Sequence, residues 1–165
     1  MKVAITTDHA GFDALKELKL YLESIGHECV EYGPKTFEPE DDYPVFIYPA
    51  ARAVSRGECE RAVIMGGSGQ GEAIVANRVP GVRCALFYGP VLAKVAVDAD
   101  GTMSDDPYEI VKLSRTHNDA NMLSLSGRFL TIHEMKHAIR IWFDTPFSGV
   151  ERHARRIQQL DELNV

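Results

Sequence analysis

Val63-Ile64-Met65-Gly66-Gly67-Ser68-Gly69-Gln70-Gly71-Glu72 is the stretch on which the fold turns: an apolar run stops at four glycines within six residues and restarts as Ala73-Ile74-Val75-Ala76. That order reads as a strand, a bare turn and a helix start. Glycines stand where backbone must approach a ligand closely, and amides at a helix N-terminus favour an anion. The turn therefore predicts a seat for a phosphate or another oxyanion. Ser68 places a hydroxyl inside it and Glu72 a carboxylate one turn later, a donor and a base suited to proton transfer. The competing reading is a turn that only lets helix and sheet pack. The stretch is not G-x-G-x-x-G, and no Gly-Lys-Ser/Thr closes a Walker loop, so dinucleotide and P-loop chemistry are demoted.

Outward from this turn, strand-like runs recur at Val3–Thr7, Glu28–Tyr32, Ala62–Met65, Val82–Phe87 and Met122–Leu125, with helix-period segments between them. Such alternation marks a parallel sheet with helices on both faces. Phe12, Leu15, Leu18, Leu22 and Ile25 follow the spacing of one buried helical stripe, and Gly26 stands where the helix should stop. A further helix is expected from Ile132 to Phe143. The last begins near Glu151 with Ile157, Leu160 and Leu163 as its stripe, and packs either on its own sheet or on a second subunit. The expected architecture is a Rossmann-like three-layer α/β sandwich around a five-stranded parallel sheet, one domain over residues 1–165.

Composition agrees with one ordinary globular domain: 165 residues, 45% of them hydrophobic and 25% charged. A net charge of −6 and a pI near 5.5 argue against nucleic acid or an anionic membrane as partner. Cys29, Cys59 and Cys84 lack C-x-x-C spacing, so neither a disulfide framework nor a zinc site is expected and a reducing cytoplasm fits best. Met1-Lys2-Val3-Ala4-Ile5 runs directly into a strand and Asp8 follows, too soon charged for a signal peptide; no long apolar span follows either.

Open parallel sheets bind ligands at the carboxyl ends of their strands. The residues there are Asp8-His9, Gly33, Gly66-Gly67-Ser68, Tyr88-Gly89 and Ser126-Gly127-Arg128, which gather acid, imidazole, hydroxyl and guanidinium on one rim. Asp8 has a second reading as a helix N-cap. Tyr43-Pro44 opens the second helix, where proline suits the first position. His117-Asn118-Asp119 precedes the last strand and offers an imidazole for proton transfer. His27, His133 and His137 look like solvated surface. Arg152 and Arg156 are spaced to converge on one small anion, or else form a solvated helix face. The acidic Asp98-Ala99-Asp100-Gly101 lacks the pattern of an EF-hand loop, and no metal constellation emerges.

Asp8-His9-Ala10-Gly11, Asp42-Tyr43-Pro44, Gly66 to Glu72, Asn77, Gly81-Val82-Arg83, His117 to Asn121 and Arg152-His153 together resemble the type B ribose-5-phosphate isomerase family, which also contains galactose-6-phosphate isomerase subunits. The likeness spans nearly the whole chain. It implies an aldose–ketose isomerase that interconverts ribose 5-phosphate and ribulose 5-phosphate through an enediolate, with neither metal nor other cofactor. Many members carry a cysteine base in the glycine turn. This chain resembles instead the branch in which a glutamate four residues after the serine is the base, the position of Glu72. By resemblance, Asp8 and His117 assist ring opening. Ser68 and the backbone around Gly67, Gly69 and Gly71 hold the enediolate oxygen. His9, Arg128, Arg152 and Arg156 hold the phosphate, while Tyr43, Asn118 and His153 line the pocket. The family implies a homodimer, with a tetramer as the larger alternative. Each pocket is then shared, the His117-Asn118 and Arg128 region reaching the partner subunit's Glu72. One departure is the Asp-, Gly- and Ser-rich stretch 98–107, read as a loop insertion near the sugar end. It keeps open a six-carbon sugar phosphate as substrate. A non-catalytic sugar-phosphate-binding module would need the anion seat but not Glu72.

Overall fold

The computed structural model describes residues 1–163. Its strands are β1 (Lys2–Thr7), β2 (Glu28–Glu31), β3 (Arg61–Gly66), β4 (Cys84–Phe87) and β5 (Met122–Ser126). Its helices are α1 (Phe12–Ser24), α2 (Pro44–Ser55), α3 (Gln70–Ala76), α4 (Glu109–Thr116), α5 (Ile132–Asp144) and α6 (Glu151–Glu162). All strand pairs are parallel, in the order β2-β1-β3-β5-β4.

The sheet is a middle layer because its inner strands are apolar on both sides. Val3 and Ile5 of β1, with Val63 and Met65 of β3, face a core shared with Leu15, Leu18 and Leu22 of α1 and Ile139 and Trp142 of α5. The alternating Ala4, Ala62 and Ile64 face a second core with Ile47, Ala50 and Ala51 of α2 and Ala76 of α3. Period-two alternation thus feeds two helical layers at once, as a buried parallel sheet requires.

α1 ends where expected: Gly26 takes φ +92°, the left-handed conformation a side chain resists. α5 opens on a capping box between Thr131 and Glu134. β4 begins at Cys84, two residues later than its apolar run, and amide side chains bind the backbone where it starts. Asn77 bonds both the N–H and C=O of Cys84, at 2.8 and 3.0 Å, and Asn121 Oδ1 accepts from Arg83 N at 2.8 Å.

Two features stand apart from the sandwich. Residues 88–108 contain neither helix nor strand except for terminal turns, and are tied by Val91 N donating to Pro107 O and Val97 N to Thr102 O, both at 2.8 Å. In α6, His153 is buried and Asp161 pairs with Arg83 at 3.5 Å, but Leu160 and Leu163 of its apolar stripe are exposed. The chain's own sheet leaves most of that stripe uncovered. Among the described residues no helix is long and apolar enough to cross a membrane.

Candidate active site

From β1 the chain runs to β2 on one side and then crosses back to β3 on the other, so the strand order reverses between β1 and β3. A crevice opens at their carboxyl ends. Asp8 follows β1 there and acts as the cap of its second reading. Its Oδ1 caps a short 3-10 turn, accepting from Ala10 N at 2.9 Å, while Oδ2 lies 3.8 Å from His9 Nδ1. His9 Nδ1 in turn meets Asp41 Oδ1 at 2.7 Å.

Across the crevice, each glycine of the turn makes room for one neighbour. A Cβ at Gly66 would overlap the Glu72 carboxyl, which folds back against the strand end. A Cβ at Gly67 would stand 3.3 Å from the Arg128 guanidinium, and one at Gly71 2.8 Å from the Tyr43 ring. Gly69 takes φ +75°, and its Cβ would press on Leu125 O at 2.9 Å. Two buried serines of β5 hold the turn from beneath: Ser124 Oγ donates to Gly69 O and Ser126 Oγ to Ser68 O, each at 2.7 Å. Ser68 Oγ accepts from Gln70 N at 3.3 Å, a local bond within the turn.

Glu72 is only 4% exposed. Burial pushes its carboxyl above the usual range; its own backbone N–H pulls it down, Asp8 adds an upward push and His9 a downward one. Cys84 lies near enough to feel Glu72, and burial together with that charge pushes its thiol far up, so it stays protonated.

A second cluster lies elsewhere. His117, at the end of α4, stacks on His153 with ring centroids 4.3 Å apart. Arg152 Nε donates to His153 Nε2 at 3.3 Å, and His153 Nδ1 meets Ser148 Oγ at 3.0 Å. Burial lowers the His117 pKa, as do His153, Arg152 and Arg156, with Asp98 opposing. The turn that carries His117 and Asn118 is held tightly. Asp119 takes φ +43°, fixed by Arg115 at 2.7 Å and Arg83 at 3.2 Å, while Asn118 O accepts from Arg83 Nε at 3.1 Å.

The expected residues therefore form two groups. Asp8, His9, Tyr43, Gly67, Ser68, Gly69, Gly71, Glu72 and Arg128 gather at the carboxyl ends of the strands. His117 and Asn118 precede β5 at the opposite end, together with Arg152, His153 and Arg156. Five residues of strand put about 15 Å between the two ends. Arg128 corrects one expectation, since its guanidinium lies on the glycine turn of its own chain rather than reaching away from it. His27 corrects another: instead of being solvated it is half-buried, 4.3 Å from the Phe143 ring. Asp41, Ser124 and Arg115 escaped sequence reading, as did the bond by which Ser126 holds the turn. One signal was present for the serines, which face inward on a strand otherwise made of Met and Leu. Asp8, His9 and Asp41 also form the one group of three metal-capable side chains among the described residues, their ligand atoms within 4.8 Å of one another.

Fold and site define an α/β protein with a glycine turn at the switch point of its sheet and a buried carboxyl, Glu72, folded against it. The family described as Ribose/Galactose Isomerase matches over residues 3–103 and 102–160, two stretches that meet inside the 88–108 segment, and the chain belongs to that family. Ribose-5-phosphate isomerase B of Mycolicibacterium paratuberculosis is 34% identical over 162 residues, 98% of this chain and 91% of the relative. The solved type B ribose 5-phosphate isomerase of Trypanosoma cruzi superposes with a TM-score of 0.84 at 36% identity, covering 99% and 98% of the two chains. Ribose-5-phosphate isomerase B from Mycoplasma genitalium, solved with bound ribulose-5-phosphate, gives 0.83 at 28% identity, covering 98% and 95%.

Proposed function

We propose that this chain interconverts ribose 5-phosphate and ribulose 5-phosphate through an enediolate, with Glu72 moving the proton between C2 and C1. The observation that carries the reading is Glu72 itself, a buried carboxyl folded against a glycine turn beside Asp8 and His9. A base works best when its pKa approaches the working pH, and burial moves Glu72 in that direction. Ser68 and the amides around Gly67, Gly69 and Gly71 stabilise the enediolate oxygen as preorganised donors. Asp8 and His117 assist ring opening, and Tyr43, Asn118 and His153 line the sugar. His9 and Arg128 hold the phosphate from one side, Arg152 and Arg156 from the other.

Because these groups sit at opposite ends of one sheet, the complete pocket takes Asp8, Ser68 and Glu72 from one subunit and His117, Arg152 and Arg156 from its partner. A two-fold homodimer supplies two such pockets. The exposed Leu160 and Leu163 of α6 support the same assembly. The reading treats residues 1–165 as one isomerase domain in which 98–107 is an added loop.

The reaction needs no metal on this reading. Ribose 5-phosphate should turn over undiminished in excess chelator; loss of activity restored by a divalent ion would instead assign the Asp8–His9–Asp41 cluster to a metal. A six-carbon sugar phosphate is the second reading, kept open by the 98–107 loop, whose Asp98 lies close enough to His117 and Arg152 for its charge to reach them. Comparing kcat/KM for ribose 5-phosphate with that for galactose and allose 6-phosphates decides between them. No turnover of any sugar phosphate would leave a binding module.

A further inference from the structure

Between β2 and α2 the chain runs through Glu38-Pro39-Glu40-Asp41-Asp42, and four of these five residues are exposed as a solvated acidic run should be. Asp41 is the exception: its side chain turns inward and is 8% exposed. Its Oδ1 accepts twice from one residue, from the His9 ring at Nδ1, 2.7 Å away, and from the His9 backbone N–H at 3.2 Å. Its Oδ2 is buried with no hydrogen-bond partner among the described residues. Burying a carboxylate with one oxygen unsatisfied costs free energy that a loop anchor alone does not require.

The return on that cost is control of an imidazole. A carboxylate against Nδ1 fixes the proton on that nitrogen and the plane of the ring, and leaves Nε2 as the nitrogen open to a ligand. We propose that Asp41 is a positioning residue, locking the His9 ring through Nδ1 so that Nε2 meets the phosphate of the substrate. An imidazolium bridging a carboxylate and a phosphate donates from both nitrogens, and each bond is charge-assisted. Asp8 Oδ2, 3.8 Å from the same Nδ1, lies too far for a hydrogen bond and leaves Asp41 as the partner that sets the ring. The inference rests on the placing of phosphate at His9 under the proposed function.

The test combines kinetics with the ring itself. Asp41→Ala should raise KM for ribose 5-phosphate, and the inhibition constant of inorganic phosphate, about tenfold while kcat stays within about twofold. Asp41→Asn, whose amide oxygen still accepts from Nδ1, should fall between it and the wild type and guards against a folding defect. In a His9→Asn background Asp41→Ala should add nothing to KM. Nitrogen-15 spectra of the histidine rings should show His9 protonated at Nδ1 in the wild type and losing that preference in Asp41→Ala. Penalties that add in the double variant, or unchanged His9 ring signals, overturn the proposal and make Asp41 a loop anchor. An unchanged KM in His9→Asn alone overturns the phosphate assignment, and the ring spectra still report separately on whether Asp41 sets the tautomer.

Discussion

A carboxylate in the first turn of a helix is drawn toward its ionised form by the amides there, and Glu72 resists because burial opposes them more strongly. Its folded pKa is raised, so the folded chain holds this proton more tightly than the unfolded chain does. Stability contributed by the neutral carboxyl is full at and below the ordinary glutamate range and is lost as pH rises through the folded value. Glu72→Gln removes that loss. The variant should melt above the wild type at pH 8 and converge with it near pH 4, as differential scanning calorimetry can check; a constant offset would contradict the raised value. On the proposed function, a pH profile of kcat/KM should show an acid limb above the ordinary glutamate value; a limb at or below that value would contradict Glu72 as the base. The residues near Glu72 were legible because each stands next to a strand end, a glycine or a proline. Asp41 was not, since nothing in an acidic run marks the one side chain that folds inward. His27 misled for the opposite reason: a histidine beside a helix stop reads as solvated until Phe143, over a hundred positions later, covers its ring.

At the scale of elements, the glycine turn is a set of fitted contacts whose members fail differently. Gly66→Ala should displace the Glu72 carboxyl and lower kcat by roughly 10²-fold or more, with the melting temperature little changed because the obstructing group is the end of a flexible side chain. Gly69→Ala meets a left-handed φ and a backbone carbonyl together and should cost about 3 kcal/mol of stability. Gly81→Ala has a similar φ but open space around it, so about 1 kcal/mol and normal turnover are expected. Denaturant titrations with parallel assays separate the three. Strands and helices were legible from periodicity, whereas the start of β4 at Cys84 was not, since its apolar run begins at Val82. Ser124 and Ser126 alternate as strand residues should, yet their partners are carbonyls of a turn more than fifty residues away.

For the whole molecule, strand order divides a list of polar residues into two groups at opposite ends of the sheet, which the proposed dimer joins as half-sites. The sequence offered His117 as one more member of a shared site. The parallel β5 instead carries it to the end of the sheet opposite Glu72, while ring stacking brings it to His153 across thirty-six positions. Long-range pairing of this kind leaves no local signature, so only the family resemblance pointed to a pocket between subunits. The arrangement makes opposite predictions for two pairs of variants, each assayed on ribose 5-phosphate well below the wild-type KM. Glu72→Gln and Arg128→Ala impair the same half-site, so their mixed dimers hold no intact pocket and activity should not return. Glu72→Gln and Arg156→Ala impair opposite half-sites. Unfolded together and refolded, about half the dimers should be mixed and half their pockets intact, restoring roughly a quarter of wild-type isomerisation. Recovery near that level from two parents that are each nearly inactive is the expected result; no recovery despite demonstrated mixed dimers, or substantial turnover by Glu72→Gln alone, would contradict a proton transfer at Glu72 in a pocket completed by a second chain.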